Sequence, residues 1–315
     1  MSGEDLKVVK DPPAPPRPRR LIYGLAAALA LLAAVESAQA MLGARATPAA
    51  DWDAAAAEVR AEFHDGDLIV FAPAWADPIG RAHLGDKVSV EMAGRADADR
   101  YARVWEVSIR GARAPETRGL TAERTTRHGR VTVALYRKPA VEVAYDFTSH
   151  IDEARVTHSA MNGANESPCY KDVGARAGFR CPGTRVEGRT LEVDYQPRRG
   201  ILAPAAAGRI TAIEFSDVTL GRELIGYTGL SDFNSRKNGA GPVDLRVIVD
   251  GRERLRVRQL NDEPWKRFTV DTGTDIAPKH VVRFEISAPV STWRTFGFHA
   301  EARTGPLRAA QGGLQ

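Results

Sequence analysis

Three patterns of apolar and polar positions succeed one another along the chain. Residues 21–35 are apolar throughout, with only Tyr23 and Gly24 among aliphatic side chains and alanines. No polar stripe breaks this run, so it predicts a helix that is apolar on every side rather than one laid against a globular core. Further on, Trp52, Ala55, Val59 and Phe63 recur at helical spacing behind Asp51. That spacing predicts a helix over residues 52–63 with Asp51 as its N-cap. His64-Asp65-Gly66-Asp67 ends the helix, and the continuous apolar run of residues 68–71 predicts a short buried strand stopped at Pro73. A short helix is expected over 97–101. Alternation predicts strands over 104–109 and 130–137, and another carrying Val141, Val143, Tyr145 and Phe147. A helix, a tight turn and a buried strand in that order begin an α/β layer.

The third pattern has a period of two. Alternating runs at 191–195, 209–215, 243–249, 255–257, 268–270, 281–286 and 296–300 are separated by polar turns with little helix between them. Asp250-Gly251 lies between two of these runs, with Val243, Leu245, Val247 and Val249 on one side, and predicts a tight hairpin. Many short strands of this kind point to an antiparallel β-sandwich. The expected fold class is therefore α+β: an N-terminal membrane helix, a small α/β domain and a C-terminal sandwich.

Charge orients the first pattern. Arg17, Arg19 and Arg20 directly precede the apolar run, which places the leader, residues 1–20, on the cytoplasmic side and the rest outside it. Residues 21–42 approach the roughly 20 residues that span a bilayer, which gives a single-pass protein with extracytoplasmic C-terminal domains. The competing outcome is a signal peptide cleaved after Ala40, since Ala38-Gln39-Ala40 has the small-x-small form, leaving a secreted or periplasmic product. Residues 43–50 read as a linker and 51–147 as the α/β domain. A loop-rich connection is expected over 148–190, the sandwich over 191–303 and a tail over 304–315.

Composition removes several classes. A formal net charge of +4 from 44 basic and 40 acidic residues is a mixed surface. Part of the excess sits in the leader, so nucleic acid is not an expected partner. The two cysteines, Cys169 and Cys181, lie close together among turn residues. Outside the cytoplasm their simplest use is one disulfide closing a short loop; a catalytic cysteine is the alternative, with His158 upstream. Zinc would need more ligands than this pair supplies. No G-x-S-x-G, H-E-x-x-H, P-loop or helix-opening G-x-G-x-x-G occurs, and no catalytic motif assigns an enzyme. Asp77, His83 and Asp86 do sit together between the first two strands, in a stretch that could close over strand ends as an ordered loop held by Trp75 or as a site.

Two resemblances add to this. Asp51-Trp52-Asp53-Ala54-Ala55-Ala56 followed by Gly66-Asp67-Leu68-Ile69-Val70-Phe71 resembles the extracytoplasmic C-terminal portion of bacterial membrane glycosyltransferases of the dolichyl-phosphate-mannose mannosyltransferase-like class. The many membrane spans that carry that family's catalysis are missing, so no catalytic residue transfers. The second half is similar to galactose-binding-like jelly rolls found as carbohydrate-binding modules. The residues that carry this likeness are Phe215-Ser216-Asp217, the glycine-rich stretch 226–241, the strand 243–249, Trp265-Lys266-Arg267-Phe268 and Trp293-Arg294-Thr295-Phe296-Gly297-Phe298.

The second resemblance implies an envelope glycan as partner, in a noncatalytic role. An enzyme or enzyme accessory acting on envelope polysaccharide, and a protein-binding scaffold, are the alternatives. Sugar recognition asks for an aromatic plate with carboxylate, amide or guanidinium groups around it. Trp265, Trp293, Arg294, Asn261, Asp262, Asp232 and Asn234 are the candidates, with core packing as the competing use of both tryptophans. No cofactor is expected. Asp232, Asn234 and Asn238 offer calcium-type oxygen ligands, against their commoner use in turns.

Overall fold

The computed structural model describes residues 19–43, 46–93, 97–172, 178–231, 233–237, 241–273, 279–290 and 294–304. The chain forms two compact units, residues 1–48 and 49–315. The first contains the helix α1 (Arg19–Gly43), exposed from Tyr23 to Gln39. The apolar run is thus helical as its pattern predicts. Among the described residues, however, no helix is long and apolar enough to cross a membrane, and the expected span over 21–42 is without structural support.

The second unit opens with α2 (Ala49–Glu62), β1 (Leu68–Ala72), a 3-10 turn at Ala74–Ala76, α3 (Asp77–Leu84) and α4 (Val90–Ala93). β2 (Arg103–Ile109), β3 (Ala122–His128) and β4 (Val131–Arg137) complete a four-stranded sheet in the order β1-β2-β4-β3. β1 runs parallel to β2, and the other pairs are antiparallel. The expected helical stripe is real: Trp52, Ala55, Ala56 and Val59 are buried against Ile69, Phe71, Trp105, Val107, Val133 and Leu135. Asp51 is not the N-cap. The helix begins two residues earlier, and the Asp51 carboxylate instead accepts the Arg130 backbone N–H at 2.9 Å, tying the helix to the β3–β4 turn. Gly129 in that turn has φ +57 and lies where any added Cβ would strike the Asp51 carboxylate.

The remaining elements are β5 (Glu142–Asp146), β6 (Arg155–Ala160), β7 (Ser167–Pro168), β8 (Tyr170–Asp172), β9 (Gly178–Cys181), β10 (Thr184–Val193) and β11 (Gln196–Leu202). After these come β12 (Arg209–Val218), β13 (Glu223–Leu230), α5 (Phe233–Lys237), β14 (Val243–Val249), β15 (Arg252–Gln259), β16 (Lys266–Asp271), β17 (His280–Ser287) and β18 (Phe296–Thr304). Among the described residues they form an eight-stranded sheet, β16-β13-β18-β11-β10-β9-β8 with β5 paired to β18, and a six-stranded sheet, β15-β14-β17-β12-β6-β7. The two inner faces share one core built on Phe147, Phe215, Phe284, Phe296 and Phe298. Ring centroids stand 5.0 Å apart for Phe147 with Phe215 and with Phe284.

This is the expected β-sandwich, and Asp250 and Gly251, both at positive φ, make the expected hairpin turn between β14 and β15. Its reach is larger than expected. β5, placed by sequence in the α/β domain, pairs with β18. The stretch 148–190, read as a loop-rich connection, supplies β6 to β10, and Cys169 and Cys181 form the expected disulfide there. The outer face of the eight-stranded sheet does not meet solvent everywhere, because α4 of the α/β layer packs on β11.

Candidate functional site

One end of the sandwich is organised by Arg294, which is 1% exposed. Its Nη1 donates to Asn261 Oδ1 at 2.6 Å and to the Gly241 carbonyl at 3.3 Å, and its Nη2 donates to the Ser235 carbonyl at 3.0 Å. The Ser235 hydroxyl in turn accepts the Thr295 backbone N–H at 3.0 Å. Four chain segments are thereby pinned together: α5, the approach to β14, the β15–β16 loop and the approach to β18. Burial pushes the Arg294 guanidinium below its usual pKa.

Arg236 makes a second clamp beside the first. Its Nη1 donates to Asp194 Oδ1 at 3.0 Å and its Nη2 to the Asp262 carbonyl at 3.3 Å, which draws the β10–β11 hairpin tip up to α5. At that tip Asp194 and Tyr195 both hold positive φ, 55° and 60°. The result is a cluster of exposed apolar surface: Tyr195 is 87% exposed, Phe233 65% and Leu260 48%. Phe233 sits three residues before Arg236 on α5, on the same helical face. Alongside runs an open groove of about 460 Å³ lined by Gly241, Pro242, Leu260, Asn261, Asp262 and Glu263. Glu263 is engaged locally, accepting the Leu260 N–H at 2.7 Å and the Lys266 ammonium at 3.1 Å. Asp262 presents an exposed side chain at the same rim.

The residues proposed from sequence therefore divide. Asn261 and Arg294 are brought together, but bonded to each other, so Arg294 positions the loops instead of facing a ligand. Trp265 is 9% exposed; its Nε1 donates to the Gln196 carbonyl at 2.7 Å, and its ring packs with Leu191, Val193 and Leu202. It is a packing residue, the competing use weighed for it. Asp232, Trp293 and Asn238 lie outside the described residues, as does the side chain of Asn234. Tyr195 and Phe233, not Trp265, carry the exposed aromatic surface here. Tyr195 follows an Asp at a hairpin tip, a position that rarely buries an aromatic, and that was the available signal.

Asp77, His83 and Asp86 do not converge. The stretch that holds them is the 3-10 turn and α3, not a loop over strand ends. Asp77 pairs with Arg81 at 2.6 Å, His83 Nδ1 lies 2.7 Å from Asp53, and Asp86 pairs with Arg60 at 2.8 Å. The last two pairs join α3 and its C-terminal turn to α2. Trp75 does not close the segment either: it is 55% exposed, with the Arg110 guanidinium 5.4 Å from its ring.

No family model matches this chain, and no curated protein does. Solved structures similar to it include the tandem CBM51 modules of the family 98 glycoside hydrolase from Streptococcus pneumoniae SP3-BS71, at 14% identity and TM-score 0.32, covering 57% of each chain. A second is CBM51-2 with GlcNAc and the INT domains of Clostridium perfringens ZmpB, at 14% identity and TM-score 0.31, covering 48% of this chain and 37% of that one. A third is CBM51 of Clostridium perfringens GH95 with methyl-galactose, at 11% identity and TM-score 0.28, covering 46% and 100%. This chain thus spans well under two thirds of the length of the first two. These neighbours are carbohydrate-binding modules of the β-sandwich kind. The mannosyltransferase-like resemblance of residues 51–146 finds no support among them.

Proposed function

We propose that this protein is a noncatalytic glycan-recognition protein of the cell envelope, and that the sugar docks at the α5 end of the sandwich. The observation that carries this reading is the pair of exposed rings, Tyr195 and Phe233, held around the Arg236 clamp beside an open groove. An exposed ring offers the apolar face of a sugar a flat surface, and Asp262 and neighbouring carbonyls at the rim can accept from its hydroxyls. Two clamps that fix four loops before any ligand arrives lower the ordering cost of binding. The leader arginines and the apolar run of residues 21–35 support delivery of this unit outside the cytoplasm on a retained N-terminal anchor.

A glycan array probed with the purified protein, with calcium and with chelator, tests the reading. Selective binding is expected, and calorimetry with the best ligand should show affinity reduced about tenfold in Tyr195→Ala and in Phe233→Ala, the equivalent of about 1.4 kcal/mol each. Absence of any array signal, or full affinity in both variants with unchanged circular dichroism, overturns it. Membrane extraction at alkaline pH tests the anchor: the full chain should stay with the lipid, and release into the supernatant overturns the retained span.

A further inference from the structure

A second cavity lies where the α/β layer meets the outer face of the eight-stranded sheet. Asp97, Arg100, Tyr101, Arg198, Arg199, Tyr227, His299 and Arg303 line it, with about 30 Å³ open to the centres of water-sized groups. That is room for one small charged group and too little for a sugar ring. On β18 the alternation that sends Phe298 and Ala300 into the core sends His299, Glu301 and Arg303 outward. Outward residues of a sandwich ordinarily meet water, yet Glu301 is 0% exposed and Arg303 1%.

Buried and rim charges of both signs meet here, with Arg100, Arg199 and Arg267 at exposed positions and Asp146 also acting on His299. Arg100, Arg198, Arg199, Arg267, Arg303 and Lys138 stand against Asp97, Asp99, Glu223 and Glu301. The carboxylates nearest the cavity are ion-paired, although Glu301 Oε2 accepts no hydrogen bond. Asp97 Oδ2 lies 3.1 Å from Arg303 Nη2 and accepts the Tyr227 hydroxyl at 3.2 Å, while its Oδ1 accepts the Asp99 N–H at 3.1 Å. Glu301 pairs with Arg303 and lies 3.5 Å from Arg100. Burial pushes Glu223 up toward its neutral form. One donor remains among the described residues of the cavity, Arg303 Nη1, which is buried with no hydrogen-bond partner; His299 Nδ1, like Glu301 Oε2, is also unpartnered. A buried donor on a guanidinium costs free energy until something accepts from it. Arg199, exposed, stands at the mouth, and the Arg198 guanidinium lies 3.9 Å from the Tyr227 ring centroid, fixed face-on.

We propose that this cavity binds one small oxyanion, a phosphate or carboxylate group, gripped by Arg303 inside and by Arg198 and Arg199 at the mouth. Guanidinium forks match both groups geometrically. The group can be a free ion or the charged substituent of a larger molecule whose body stays outside, past Arg199. The site shares no lining residue with the groove at the α5 end of the sandwich and does not depend on the glycan reading.

Calorimetric titration of the full-length protein with inorganic phosphate, acetate, a sugar phosphate and a uronic acid tests it. Saturable binding of at least one of these near one per chain, with Kd of about 1 mM or tighter, is expected. The affinity should fall as chloride salt is raised. Arg199→Gln, at an exposed position that folding tolerates, should weaken it at least about fivefold, and Tyr195→Ala should leave it unchanged. Phosphate or acetate acting alone identifies a free ion; binding seen only with the sugar derivatives identifies a charged substituent, and both uphold the site. No saturable binding of any of the four, or wild-type affinity in both Arg199→Gln and Arg100→Gln, overturns it. Neutral-glycan affinity measured on Arg199→Gln separates this outcome from that of the α5 end.

Discussion

The guanidinium of Arg294 reaches three loops at once, and nothing smaller or less branched could. Asn261 Oδ1 and the carbonyls of Gly241 and Ser235 all accept from it. Replacing Arg294 with Met keeps most of the stem volume but strands the buried Ser235 carbonyl, at about 1–3 kcal/mol, and weakens the part-buried links to Asn261 and Gly241. Arg294→Met should therefore lower the free energy of unfolding by about 2–4 kcal/mol in a urea titration, and Arg294→Lys by nearly as much, since an ammonium lacks the planar fork. An unchanged midpoint for both would show that the loops are held by other means. Residue type singled out this position as a ligand-binding group, whereas its donors are spent on Asn261, Gly241 and Ser235. Type alone does not carry burial, which is what turns Arg294 and Trp265 from ligand-facing groups into supports.

Among elements, the Cys169–Cys181 disulfide joins the chain just before β8 to the end of β9, closing a loop with a sequence separation of 12. A loop of that size constrains the unfolded chain by about 3 kcal/mol, so the double variant Cys169→Ser, Cys181→Ser should unfold at correspondingly lower denaturant. Reduction of the wild type should reproduce that shift; identical midpoints with and without reductant would show that the link contributes nothing. Elements whose sequence repeats their environment were legible. The α2 stripe, β14 and β17 each bury one face and turn the other toward solvent. β3 was not, because its positions from Ala122 to His128 are intermediate or exposed throughout and carry no apolar alternation. β5 was seen as a strand and assigned to the wrong sheet, since local alternation says nothing about a partner more than 150 residues away. The strands from β7 to β9, and the first part of β10 before the run at 191–195, were hidden among Gly, Pro and Cys positions that read equally well as turns. At the α5 end, the loop candidates were legible as a group of polar residue types, whereas the exposed Tyr195 and Phe233 required the fold to place them.

At the scale of the whole molecule, the α/β layer converts part of the sandwich's outer face into an interior, and histidine reports that conversion. His299 is desolvated there, and burial pushes its pKa below the usual value against the opposing pull of Glu301 and Asp146; Arg100 and Arg198 push it further down. The folded protein therefore holds His299 neutral while the unfolded chain protonates it near pH 6.5. Below that pH the unfolded state binds the extra proton, so stability present above about pH 6.5 is lost progressively as pH falls toward the lowered folded value. Glu223, raised by burial, works in the other sense, the folded state taking up its proton first as pH falls. Comparing wild type with His299→Gln at each pH cancels the Glu223 contribution, because both proteins carry it. The wild type should lose more stability than His299→Gln on going from pH 7 to pH 5, as read by thermal unfolding in matched buffers free of phosphate and carboxylate. Parallel curves for the two proteins would mean that His299 meets water in solution, and that the α/β layer does not seal the outer face of the sheet.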